Sequence, residues 1–118
     1  MTLQECYATL CGNYEEAKTR LMNDSLIDRF IRRFPADPSM QLLRDKLQEG
    51  NLPEAFRAVH TLKGVAANLA FTRLQQDASA LTELMRDQVT PADPQMVSAL
   101  EASYRLVIDT LDAYVASH

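Results

Sequence analysis

The residues in this chain best placed for covalent chemistry are His60, Lys63 and Gly64. A neutral imidazole offers a ring nitrogen that acts as a nucleophile near physiological pH. A helix advances about 100° per residue, so Lys63 stands one turn on from His60 and Gly64 follows it along the same row. Ala67 continues that row at i+7. A nucleophile at this position has a cation on its flank and almost no side-chain bulk beyond it.

The helix that must position these residues is legible around them. Leu52, Ala55, Phe56, Val59, Leu62, Ala66 and Leu69 form one broad apolar stripe at helical spacing. His60 falls at its rim, about 100–120° from the middle of the stripe. Glycine inside a helix costs about 1 kcal/mol relative to alanine, so Gly64 needs a reason. Either it relieves crowding against a neighbouring helix, or it lets something approach the backbone beside His60.

The run His60-Thr61-Leu62-Lys63-Gly64-Val65-Ala66-Ala67-Asn68-Leu69 decides between these readings. It closely resembles the signature of the histidine-containing phosphotransfer (HPt) family, His-x-x-Lys-Gly followed by small residues. The resemblance extends from about Tyr14 to Arg86 and is strongest from Ala55 to Leu84. It implies that His60 carries a phosphoryl group, that Lys63 helps to hold it, and that Gly64 clears space for the donor or acceptor. Arg57, Ala67, Phe71, Thr82 and Arg86 are the further residues expected at the docking surface. Family members usually carry glycine where this chain has Ala70, a departure at the helix end rather than at the phosphoryl site.

The chemistry fits that implication. Imidazole can accept a phosphoryl group and later surrender it, a process that depends on in-line positioning and on cationic compensation of the phosphoryl oxygens. Lys63 suits the second task as a mobile point charge. Counting across the turn at residue 71 sets His60 level with Thr82, where many HPt domains have glutamine. That threonine reads either as a plain surface residue or as a hydroxyl that orients the ring. Arg86, one turn further, reads either as a solvated charge or as a second cation for the phosphoryl group. Arg29, Arg32 and Arg33 are a solvated helix face or a surface for an acidic partner.

No phosphate-cradling glycine loop is present, so the chain is not expected to make phosphohistidine from ATP itself. It is expected to be a phosphorelay intermediate, a carrier rather than a kinase, exchanging phosphoryl groups with receiver-domain aspartates or a hybrid histidine kinase. The alternative is a non-catalytic module that binds a receiver as a regulator. No cofactor or metal site is expected; the Mg²⁺ of such transfers would belong to the receiver. His118 has no ligand spacing to His60.

Composition bounds the rest. The 118 residues suit a single domain, 1–118, with a bundle core over about 24–116. A formal charge of −4 and a pI near 5.1 argue against a nucleic-acid module. No apolar run approaches the roughly 18 residues of a membrane span, and the first residues lack a signal peptide's pattern. Cys6 and Cys11 read as reduced core thiols. The expectation is a cytoplasmic monomer.

Apolar residues make up 47% of the chain, which holds only three glycines and shows no strand alternation. The expected fold is all-α: an antiparallel up-down-up-down four-helix bundle with short N-terminal capping helices. Its helices are placed at about 24–49 (kinked near Pro35), 52–70, 72–88 and 94–116, with Phe30, Ile31 and Val115 among the inward residues. Thr2 with Glu5, Asn51 with Glu54, and Thr72 with Gln75 are spaced as helix-start signals. Asp37 is expected to cap a helix with Pro38 at its first position.

Overall fold

The computed structural model describes residues 1–118, and every regular element in it is helical. In chain order these are α1 (Leu3–Thr9), α2 (Tyr14–Leu21), α3 (Asp24–Arg33), a 3₁₀ turn (Phe34–Ala36), α4 (Ser39–Glu49), α5 (Leu52–Asn68), α6 (Thr72–Leu84) and α7 (Pro94–Ala116). Short polar side chains set most of the helix starts by accepting otherwise unpaired amides. Asn13, Asn23 and Asn51 accept from Glu16, Leu26 and Glu54, and Asp93 accepts from Gln95 and Met96. Thr2 and Glu5 form the full reciprocal capping box.

Three helices end in the same way, with an amide reaching back five residues to a carbonyl. Gly12 donates to Tyr7 at 2.8 Å, Asn51 to Lys46 at 2.9 Å and Phe71 to Ala66 at 2.9 Å. In each case the preceding residue is left-handed: Cys11 at φ 61°, Gly50 at 71° and Ala70 at 57°. Only Gly50 is the residue type that adopts this conformation freely. Ala70, where the family usually has glycine, itself takes the left-handed conformation and closes α5.

Several expected boundaries shift. The segment 24–49 is two helices rather than one kinked helix, because Pro35 lies in a 3₁₀ turn that closes α3. Pro38 takes the cap position of α4, and the Asp37 side chain accepts the Ser39 amide at 2.9 Å from one residue further out. The Thr72–Gln75 box is absent, since Phe71 occupies the cap position. The first turn of α6 is capped from elsewhere: Arg73 donates its amide to the Cys11 carbonyl at 3.1 Å. Helix α6 also stops at Leu84 rather than 88, and the turn after it is held by Asp87 accepting from Val89 and Thr90.

One hydrophobic cluster of 26 buried residues runs from Leu3 to Tyr114. The N-terminal helices contribute Leu3, Cys6, Tyr7 and Leu10 to it, so they share the bundle's core. Cys6 is buried, and burial pushes its thiol up to about 11, whereas Cys11 is exposed and not a core thiol. Phe30 and Val115 are corrected to exposed positions, at 38% and 43%. Tyr114 takes the inward place on α7 and donates its hydroxyl to Asp28 at 2.6 Å.

Helix α5 is the centre of the packing. It lies against α4 and α6, and α6 lies in turn against α7. Arg44 ties α4 to α7 by pairing with Glu101 at 2.8 Å while resting over the Tyr104 ring. One strip of α5 is left to solvent, and it holds Arg57, His60, Thr61, Gly64 and Asn68.

Candidate phosphotransfer site

The apolar stripe of α5 does what the spacing requires. Ala55, Val59, Leu62 and Ala66 are buried, and His60 is carried out into solvent. The imidazole rests against the Phe56 ring one turn earlier, with ring centroids 5.9 Å apart and planes at 36°. That contact limits where the ring can swing and leaves an edge to solvent. A side chain added at Gly64 would meet nothing within 4 Å, so no neighbouring helix accounts for the glycine. The crowding explanation is therefore removed.

The charges nearby are mostly paired. Arg57 pairs with Glu54 at 3.0 Å, and Arg86 grips both oxygens of Glu83. Lys63, half-buried at its base, belongs to neither pair. Hydrogen bonds from Arg86 hold the Glu83 carboxyl below its usual range, and the nearby charges of Arg86, Lys63 and His60 add to this.

A family model for the Hpt domain matches residues 25–114. The chain belongs to the Hpt domain family. Searches of curated proteins and of solved structures find no match. Hpt domains carry out histidine phosphotransfer in two-component phosphorelays, interacting with receiver domains and histidine kinases. The all-helical architecture agrees with that membership. No helix is long and apolar enough to cross a membrane.

Not all the residues expected at the docking surface are exposed. His60, Gly64 and Arg57 share the exposed strip, Ala67 and Lys63 are half-buried beside it, and Arg86 is exposed just past the end of α6. Thr82 is not at the surface. It is fully buried, and its hydroxyl donates to the Ala78 carbonyl at 2.7 Å. Counting residues across the hairpin sets the level of Thr82 but not its side, and its helical face is that of Leu74, Ala78, Leu81 and Met85. Phe71 is likewise fully buried, packed edge-on against Phe34 at 5.3 Å and near Tyr7 at 5.7 Å. Neither side chain is available for docking.

Two features escaped the sequence. One is Glu83, next in sequence to Thr82 but turned outward toward Arg86, a pairing signalled by their i, i+3 spacing. The other is an open groove of about 800 Å³ beside the last turns of α5, lined by Leu21, Phe30, Arg33, Phe34, Val65 and Asn68 among others. The exposure of Phe30 belongs to this groove, and the arginine cluster divides around it. Arg33 lines the groove, whereas Arg32 pairs with Asp28 at 2.9 Å and lies over the Tyr114 ring.

Proposed function

We propose that the chain is a phosphorelay intermediate in which His60 is the residue phosphorylated. A ring nitrogen attacks the phosphorus of a receiver's aspartyl phosphate; the P–N bond forms as the P–O bond breaks, and the aspartate leaves as a carboxylate. The reverse step loads a second receiver. Lys63 follows the charge on the phosphoryl oxygens through the transfer. The Mg²⁺ is the receiver's, and the chain needs no cofactor of its own. In this reading residues 1–118 act as one monomeric cytoplasmic domain, with α3–α4, α5, α6 and α7 as the four legs of an antiparallel up-down-up-down bundle.

The observation that carries this is the pairing of a solvent-open imidazole with empty space where a Gly64 side chain would be. An acceptor domain needs close access to the nitrogen from above the helix, and the missing Cβ at Gly64 supplies it. The deciding experiment gives a phosphorylated receiver to the wild-type protein and to His60→Gln. Label should leave the receiver for the wild type only. Label moving to His60→Gln would overturn the assignment, and binding to wild type without transfer would make the chain a receiver-binding regulator instead.

Lys63 allows a graded test. Lys63→Ala should slow transfer by an amount equivalent to about 1–3 kcal/mol in the transition state, with the fold intact. An unchanged rate with a working receiver would remove Lys63 from the site.

A further inference from the structure

The exposed ion pair on the α6 side of the site joins two residues at one helix end. Glu83 and Arg86 are both largely in solvent, with side-chain exposures of 58% and 54%, so the pair does not hold helices together. It is nevertheless well made: Nε of Arg86 donates to Oε2 of Glu83 at 3.1 Å, and Nη2 donates to Oε1. The α5–α6 hairpin reverses at Leu69–Phe71, which brings residue 83 level with the turn of α5 that bears His60. Thr82 points inward at that level, whereas Glu83 beside it is exposed, on a helix that packs against α5. Its carboxyl responds to Lys63 and His60 as well as to Arg86.

We propose that Glu83 is a positioning residue that stores Arg86 and releases it to phosphorylated His60. In the resting protein the carboxylate occupies the guanidinium. A phosphoryl group on His60 brings two more negative charges beside Glu83, and its oxygens accept the same bidentate fork that the carboxylate did. The exchange replaces one anion by a more highly charged one on the same cation and leaves the exposed Glu83 carboxylate to solvent. Arg86 then joins Lys63 in stabilising the phosphorylated state, and Glu83 sets how readily it does so. This rests on His60 being the acceptor.

The test uses the whole chain and phosphoramidate as the donor, so that no receiver surface is involved. Labelling of wild type and not of His60→Gln establishes the parent reading first; a failure there falls on that reading and not on the exchange. Rates are then compared for Glu83→Gln, Arg86→Ala and the double variant. Both residues are exposed, and matching melting curves confirm that the fold is unchanged. Freeing Arg86 by Glu83→Gln should speed phosphorylation by about two- to fivefold, the scale of exposed ion pairs. Arg86→Ala should slow it by a similar factor, and in that background Glu83→Gln should have no further effect. A second readout is the ¹⁵N–¹H signal of Arg86 Nε, which should shift when wild type is phosphorylated. An equal acceleration by Glu83→Gln with and without Arg86 would mean simple repulsion of the donor and overturn the exchange. So would no acceleration, or an Arg86 signal that does not move on phosphorylation.

Discussion

Gly12 and Gly64 are two glycines in opposite situations, one closely surrounded and the other open. A Cβ on Gly12 would lie 2.8 Å from the Ala70 carbonyl oxygen and 2.9 Å from both Leu10 Cδ1 and Tyr7 Cδ2. A Cβ on Gly64 would touch nothing. Around Gly12 the α1–α2 turn is stitched to the α5–α6 turn: Asn13 donates to Ala70 at 2.9 Å, Arg73 to Cys11 at 3.1 Å, and the buried Tyr7 hydroxyl to Leu69 at 2.8 Å. Around Gly64 the same helix α5 meets only solvent on that face. The turn that abuts the end of α5 uses its glycine for close packing, whereas Gly64 in the middle of α5 packs against nothing.

The contrast is tested hardest at Gly12. Gly12→Ala forces a methyl against a backbone oxygen that is already bonded to Asn13, and should destabilise the fold by about 1–3 kcal/mol. A denaturant midpoint equal to wild type would show slack at the closed end and dissolve the comparison. Next in size is Tyr7→Phe, which removes the donor from the buried Leu69 carbonyl without changing the ring contacts. The expected loss is about 1–2 kcal/mol, measured the same way, and a neutral result would mean that water reaches that carbonyl.

At the open face the sign reverses. Gly64→Ala should raise stability by about 1 kcal/mol, because the helix gains a better former and nothing is crowded. Gly64→Leu should keep part of that gain and still accept phosphate from phosphoramidate, yet fail with a receiver. A lowered melting temperature for Gly64→Ala would place an unseen neighbour on this face and remove the argument for access.

The smallest effect is expected at Ala70. Its left-handed backbone costs an alanine about 1 kcal/mol, which glycine would relieve. The methyl is nevertheless 1% exposed, and losing a buried methyl costs about 0.8 kcal/mol. Ala70→Gly should therefore change stability by less than about 0.5 kcal/mol, and a gain well above 1 kcal/mol would show that the methyl contributes nothing to packing.

The site's central row was legible because it lies within one helix. Helical periodicity alone fixes that His60 leaves the stripe of Val59, Leu62 and Ala66 and that Gly64 follows it. Capping at Thr2, Asn13, Asn23, Asn51 and Asp93 is similarly local, since donor and acceptor lie two or three residues apart. The start of α5 at Leu52 followed from such a signal, while its end falls at Asn68 rather than at 70.

What the sequence could not decide involves two elements at once. Thr82 and Glu83 are adjacent and near the level of His60, and only the rotation of α6 against the core makes one a buried hydroxyl and the other an exposed carboxylate. Thr72 looks like a cap, but the α1–α2 turn supplies the partner for that helix start, so the local signal goes unused. Phe71 and Phe30 are alike as residues, yet Phe71 is enclosed by Tyr7 and Phe34 while Phe30 stands at the edge of a groove. Periodicity specifies which side of a helix is apolar. Which neighbour covers that side, and how far the cover extends, depends on contacts between residues distant in the chain, and those exist only once the helices have packed.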